Sequence, residues 1–220
     1  MPERRASATP LRVSEIFHSL QGESTRVGLP TVFVRLTGCP LRCRWCDSSH
    51  AFAGGEVMDI AAILERVRAF DCPTVCVTGG EPLAQRGCLS LLAALCDAGF
   101  SVSLETSGAL DIGAVDARVS RVMDLKAPAS GEAERNRWQN LDRLTGRDEI
   151  KIVLASEEDY LWAKRVLHER QPHRRCAVLL SPAAGLLEAR TLAEWILRDR
   201  LPVRFQWPLH KLLWGDERGR

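Results

Sequence analysis

The sequence has no uninterrupted apolar run of the ~20 residues that a membrane-spanning helix needs, which excludes such a helix. Its first residues, Met1 to Pro10, carry charges but no apolar stretch, so they do not read as a secretory leader. Neither sign of charge dominates. Thirty basic and 28 acidic residues leave a formal net charge of +2, which excludes a disordered polyelectrolyte and a highly charged nucleic-acid arm. There is no fixed-period repeat and no low-complexity segment. Lysine is scarce: Lys126, Lys151, Lys164 and Lys211 stand against 26 arginines, so each one is worth asking about. What is present, 45% hydrophobic and 26% charged residues, is the balance of a soluble globular protein. A single domain over residues 1–220 is expected, with residues 1–10 and about 216–220 mobile.

Eight cysteines are the informative excess. Without an export signal the expected location is the reducing cytoplasm, where metal binding or catalysis outranks a disulfide framework. Cys39, Cys43 and Cys46 fall on one short stretch, while Cys72, Cys76, Cys88, Cys96 and Cys176 are scattered. Buried cysteines behave as small hydrophobes, and the scattered five read that way.

Short β-rich runs alternate with helical patterns. Thr31–Leu36 alternates as a strand, and Ile60, Ile63, Leu64 and Val67 keep helical spacing. Thr74–Thr78 is a strand; Cys88, Leu91, Leu92 and Leu95 form a helix face with Gly99 as its stop. Residues 101–105, 119–125 and 149–154 are further strands. Ser156 and Asp159 resemble a capping box for a helix through His168. A strand at 177–180, a helix near 189–198 and a strand at 202–205 complete the pattern. Such alternation implies a parallel sheet. No helix is evident between Glu105 and Val119, and a full eight-unit barrel needs ~250 residues. The expected fold is therefore α/β, a partial, open (β/α)6-type barrel with some helices short or missing; a doubly wound open sheet is the alternative. In both, active sites lie at the carboxyl ends of the strands, so chemical motifs should follow strands.

They do. Directly after the first strand, Cys39, Cys43 and Cys46 form C-x3-C-x2-C. Three thiolates leave one iron of a [4Fe–4S] cluster open, since a fully ligated cluster takes four cysteines. A structural zinc site with His50 as fourth ligand is the alternative, but no second cysteine pair of the usual zinc spacing follows. After the second strand comes Thr78-Gly-Gly-Glu-Pro82, where glycines allow close backbone approach to a ligand and a carboxylate can receive an ammonium. Glu105-Thr-Ser-Gly108, Asp124-Leu-Lys126 and Leu180-Ser-Pro182 follow the later strands.

C-x3-C-x2-C with Trp45 before the last cysteine, together with Gly79-Gly-Glu-Pro82, resembles the radical S-adenosylmethionine (SAM) enzymes. That resemblance implies a [4Fe–4S] cluster whose open iron binds the amino and carboxylate groups of SAM. It also implies reductive cleavage to a 5′-deoxyadenosyl radical. Ile16-Phe-His-Ser-Leu-Gln-Gly-Glu-Ser24 narrows it, being similar to the LQGEG signature of the 7-carboxy-7-deazaguanine synthases, with Ser24 in place of the second glycine. Phe33–Cys39, Cys46–Ser48, Glu105–Gly108 and His210–Gly215 are similar too, so the likeness spans about residues 12–217.

The resemblance implies conversion of 6-carboxy-5,6,7,8-tetrahydropterin to 7-carboxy-7-deazaguanine with release of ammonia, in queuosine and 7-deazapurine biosynthesis. It implies substrate contacts at Leu20, Gln21, Gly22, Arg35 and Thr78, and cofactor contacts at Trp45, Asp47, Gly80, Glu105, Ser107, Asp124, Leu125, Lys126 and Ser181. Ser48 is the implied Mg2+ ligand, Mg2+ taking oxygen ligands and keeping several waters. A homodimer and a flavodoxin- or ferredoxin-like electron donor are implied as partners, with no nucleic acid and no membrane. The basic run Arg165–Arg175 reads as a solvated face. A glycyl-radical activase and a non-catalytic iron–sulfur or zinc module are the alternatives; the Leu20–Glu23 segment and the strand-end motifs argue against them.

Overall fold

The computed structural model of the chain describes residues 9–215 and 217–219. The expected mobility of the ends falls largely on residues 1–8, 216 and 220, outside the described residues. The chain order is β1 (Leu11–Leu20), β2 (Pro30–Leu36), β3 (Glu56–Met58), α1 (Ile60–Arg68), β4 (Thr74–Gly79), α2 (Cys88–Asp97), β5 (Ser101–Thr106), β6 (Ser120–Asp124), β7 (Glu149–Leu154), α3 (Glu157–Arg170), β8 (Ala177–Pro182), α4 (Ala189–Asp199), β9 (Arg204–Phe205) and α5 (Leu209–Trp214). Short 3-10 turns fill the connections between them.

Among the described residues the strands form one sheet in the order β3-β1-β2-β4-β5-β6-β7-β8-β9. From β2 to β9 every neighbouring pair is parallel and the order follows the chain. A doubly wound sheet reverses its strand order part-way; this one does not. The two outer strands are not hydrogen-bonded to each other, so the barrel is open. β1 and β3 were not legible as strands; they extend one edge by antiparallel pairing.

The predicted helices form because each carries an apolar stripe. Ile63 and Val67 of α1 and Leu91, Leu92 and Leu95 of α2 are buried against the sheet. α3 begins at Ser156, whose hydroxyl accepts from Asp159 N, but the expected reciprocal half of the box is absent. Asp159 instead accepts from Ala129 N at 2.9 Å and Ala155 N at 3.0 Å, tying the helix to a neighbouring loop. No α-helix lies between β5 and β7, and other contacts cover that stretch of sheet. Ile112, Val115 and Val119 bury their side chains, and Asn140 Nδ2 donates to Gly108 O at 3.0 Å and Leu110 O at 2.8 Å. At the amino end of β6, Arg121 forks onto Asp148 at 3.0 and 2.6 Å.

The turn leaving β1 carries a local cost. Ser24 is buried and has φ +69°, in the left-handed region that favours glycine. Its hydroxyl accepts from Arg26 N at 3.0 Å, a partial compensation. Relief of this strain sets an expectation for Ser24→Gly, an increase of about 1 kcal/mol, or roughly 2–4 °C in thermal midpoint. Calorimetry checks it; a lower midpoint would show that the Ser24 hydroxyl bond outweighs the backbone strain.

Candidate active site

Inward-facing residues of adjacent strands stand in register. Arg35 of β2 pairs with Thr78 of β4, and Asp124 of β6 with Lys151 of β7. Between them Glu105 of β5 accepts from Thr78 Oγ1 at 2.9 Å and from Gln21 Nε2 at 3.2 Å. These polar side chains line a cleft of about 610 Å³ at the carboxyl ends of the strands. A parallel strand covered on both faces reads as continuously apolar, so a charged residue inside one marks a cavity.

Cys39, Cys43 and Cys46 face the same cleft on the loop after β2. Two neighbouring segments hold that loop. Arg42 N donates to Glu132 Oε1 at 2.5 Å and Arg44 N to Ser130 O at 3.1 Å on one side. On the other, Glu81 N donates to Gly38 O at 2.8 Å. A Cβ on Gly80 would lie 2.4 Å from Gly38 O and 2.6 Å from Cys39 Cβ, so only glycine fits that crossing. The Gly79–Gly80 pair thus makes room for the cysteine loop itself.

Glu81 corrects the expectation for its motif. Its carboxylate is fully buried and points away from the cleft, where it cannot receive a ligand's ammonium. It accepts from Thr106 Oγ1 at 2.9 Å, Ser107 N at 2.7 Å, Ser107 Oγ at 2.5 Å and Leu83 N at 3.0 Å. A buried charge needs such complete pairing. The result is a bolt between the ends of β4 and β5.

Several charges inside the cleft are paired. Lys126 Nζ donates to Asp124 Oδ2 at 2.9 Å. Burial opposes the Lys126 charge, but Asp124 and then Cys43 outweigh it and lift its pKa. The Lys126 backbone is clamped by Asn136, which accepts from Lys126 N at 2.9 Å and donates to Lys126 O at 2.8 Å. Arg35 Nε donates to Glu15 Oε1 at 2.6 Å, and Ser48 Oγ to Asp47 Oδ1 at 2.9 Å. Burial pushes the Asp47 carboxyl up, but Lys151, the Ser48 hydroxyl, Arg35 and Lys211 hold it below its ordinary value.

A family model described as the Radical SAM superfamily matches residues 33–126. A curated relative from Chlorobaculum tepidum, named 7-carboxy-7-deazaguanine synthase, is 50% identical over 97% of this chain and 99% of that one. A relative of the same name from Koribacter versatilis is 39% identical over 94% and 98%. The chain belongs to the 7-carboxy-7-deazaguanine synthase family. The crystal structure of QueE from Escherichia coli, 23% identical, superposes with a TM-score of 0.75 over 89% of this chain and 92% of that one, so the fold is shared.

Membership of the 7-carboxy-7-deazaguanine synthases within the radical SAM superfamily implies a [4Fe–4S] cluster and SAM. The donor set fits the cluster. Three free thiols, all partly exposed, face one cleft. Burial raises the Cys39 and Cys43 pKa values, so iron binding would displace their protons. His50, the fourth ligand a zinc site would use, instead directs Nε2 to Glu15 Oε1 at 3.4 Å.

Of the synthase-family site residues expected from the sequence, all but Leu125 line the cleft. The Leu125 side chain is buried in the core, and its N–H donates to Lys151 O at 2.8 Å. Sequence reasoning gave no site role to Glu15, Glu23 or Lys151, all lining the cleft, and considered His50, which lines it too, only as a zinc ligand. Scarcity of lysine was a usable signal: three of the four lysines, Lys126, Lys151 and Lys211, line it.

Loss of the Glu81 charge should be felt first in stability. Glu81→Gln places an amide against four donors and is expected to cost about 2–4 kcal/mol. Asp111→Asn, at an exposed carboxylate, should stay within about 0.5 kcal/mol. Denaturant titration of both variants checks this; equal costs would remove the bolt.

Proposed function

We propose that this chain converts 6-carboxy-5,6,7,8-tetrahydropterin to 7-carboxy-7-deazaguanine, releasing ammonia, as a radical SAM enzyme of queuosine and 7-deazapurine biosynthesis. The observation that carries the reading is the meeting, in one cleft, of the Leu20–Gly22 segment, Arg35 and Thr78 with the three-cysteine loop. When bound, the cluster and SAM supply one-electron cleavage and a carbon radical for hydrogen abstraction at C6 of the pterin.

The chain's own residues divide the remaining work. Cys39, Cys43 and Cys46 are the iron ligands, and Lys126 offers its ammonium to the methionyl carboxylate. Gly80, Ser107 and Ser181 lie at the carboxyl ends of β4, β5 and β8 for the rest of the cofactor, with Trp45, Asp47, Glu105 and Asp124 beside them. Leu125 serves through its backbone, its side chain being in the core. Arg35, held by Glu15, presents a planar fork suited to a carboxylate. Gln21 already spends one amide hydrogen on Glu105 and accepts from Glu23 N at 3.2 Å, which leaves its second amide hydrogen for the pterin edge. Ser48, beside Asp47, offers oxygen to a largely hydrated Mg2+. The same reading makes the chain one domain, a cytoplasmic homodimer, reduced by a flavodoxin- or ferredoxin-like donor. No helix of the described residues is long and apolar enough to cross a membrane.

The test is anaerobic reconstitution with iron and sulfide, followed by reductant, SAM and 6-carboxytetrahydropterin. Ammonia and a deazaguanine product are expected. Absence of 5′-deoxyadenosine under all conditions would sink the radical assignment; 5′-deoxyadenosine without a deazapurine would sink the substrate. Replacing Cys39, Cys43 or Cys46 with Ala should abolish turnover, whereas Cys96→Ala should leave it within about twofold, changes away from functional features being small.

A further inference from the structure

Lys151 lines the cleft and has no role in the reading above. It rises from β7 with its side chain 17% exposed, and its Nζ lies 2.5 Å from Glu23 Oε2. The same nitrogen lies 3.9 Å from Asp124 Oδ2, an oxygen that also takes Lys126 Nζ at 2.9 Å. Asp124 therefore stands between two cations. Lys126 faces the cysteine loop, and Lys151 faces the turn after β1. Burial works against the Lys151 charge, but Glu23, Asp124 and Glu105 together more than restore it.

Glu23 follows directly on the Leu20–Gly22 segment, and its ion pair spans 128 residues of sequence. The backbone around it is fixed independently. Gln21 N donates to Leu29 O at 2.8 Å, and Thr25 N to Glu149 Oε2 at 2.8 Å. Lys151 thus sets where the Glu23 carboxylate points, whereas the loop keeps its path without it. Removing the ammonium would leave Glu23, Glu105 and Asp124 facing one another across a narrow, partly desolvated space, where like charges repel strongly.

We infer that Lys151 is a positioning residue for the substrate half of the cleft: its ammonium fixes the direction of the Glu23 carboxylate, at the end of the Leu20–Glu23 wall, for the pterin. The inference rests on the pterin reading given above. It makes the two ligands respond differently. Asp124 keeps Lys126 when Lys151 is lost, so the SAM half retains its own ion pair.

The experiment uses the reconstituted protein without reductant, so that no turnover occurs, and titrates it calorimetrically with SAM and then with 6-carboxytetrahydropterin. Lys151→Gln is expected to weaken pterin binding tenfold or more and to leave SAM affinity within about twofold, because Asp124 keeps its closer partner, Lys126 at 2.9 Å. Lys151→Arg, which keeps the charge, should recover most of the loss. Glu23→Gln should add little to Lys151→Gln, because the two changes break one pair. Unchanged pterin affinity in Lys151→Gln, or equal weakening of both ligands, would overturn the inference. Wild-type protein that binds SAM but not the pterin would overturn the substrate reading, and the role of Lys151 with it.

Discussion

The carboxylate of Glu81 is the interaction on which the mouth of this barrel depends. A fully buried charge is tolerated only where donors surround it, and here three of the four come from one place, the end of β5. The strand ends of β4 and β5 are therefore fixed to one another by electrostatics where the sheet itself has run out of ladder bonds. The backbone of the same residue reaches the other way, from Glu81 N to Gly38 O. One residue thus connects the cysteine loop after β2, the glycine pair after β4 and the Thr106–Ser107 turn after β5. Three of the strand ends that face the cleft cannot move independently. The glycines complete the arrangement, since a side chain at Gly80 would push directly on Cys39. A motif that reads as a ligand-binding loop is first of all the backing of the cysteine loop.

The βα alternation was legible because apolar periodicity survives wherever a helix or strand is covered by the core. Ile63 and Val67, or Leu91 and Leu95, mark their helices without help from any partner. β1 was not legible for a physical reason. Its pairing with β2 shifts register between Val13 and Glu15, and such a bulge breaks the two-residue alternation by which a strand is read. β3 has three residues, too few for any period. The absence of a helix after β5 was legible, but its replacement was not, because Asn140 bridges to Gly108 and Leu110 from across the chain.

The site divided along the same line. Motifs at strand ends announce themselves by local composition, and nearly all of those residues line the cleft. Glu15 and Lys151 lie within strands, where a charge on the inner face looks like an ordinary solvated residue until the sheet curves around it. Glu81 was visible, but its direction was not: which way a carboxylate turns depends on donors supplied by another strand end. The sequence signal that pointed at Lys151, rarity of its residue type, is chemical and carries no geometry.

The two halves of the cleft are built by different parts of the chain. The cysteine loop, Gly80, Ser107 and Lys126 all belong to connections of the parallel sheet, which the core holds in place. The opposite wall comes from the chain's two ends. Leu209 N donates to Gly22 O at 2.8 Å, docking the start of α5 on the turn after β1. A Cβ on Gly22 would lie 2.1 Å from His210 Nδ1, so the fit of these two segments is as tight as that of Gly80 on Cys39. Gln206 Nε2 adds a bond to Ser24 O at 3.1 Å. The strained turn at Ser24 is thus held by the segment leading into α5, which explains how a left-handed serine persists there. In an open barrel with helices missing between β5 and β7, the wall facing the cofactor loops cannot come from further βα units. It comes instead from the antiparallel strand β1 and a short terminal helix locked onto each other, with Lys151 reaching from the sheet to fix the Glu23 carboxylate where they meet.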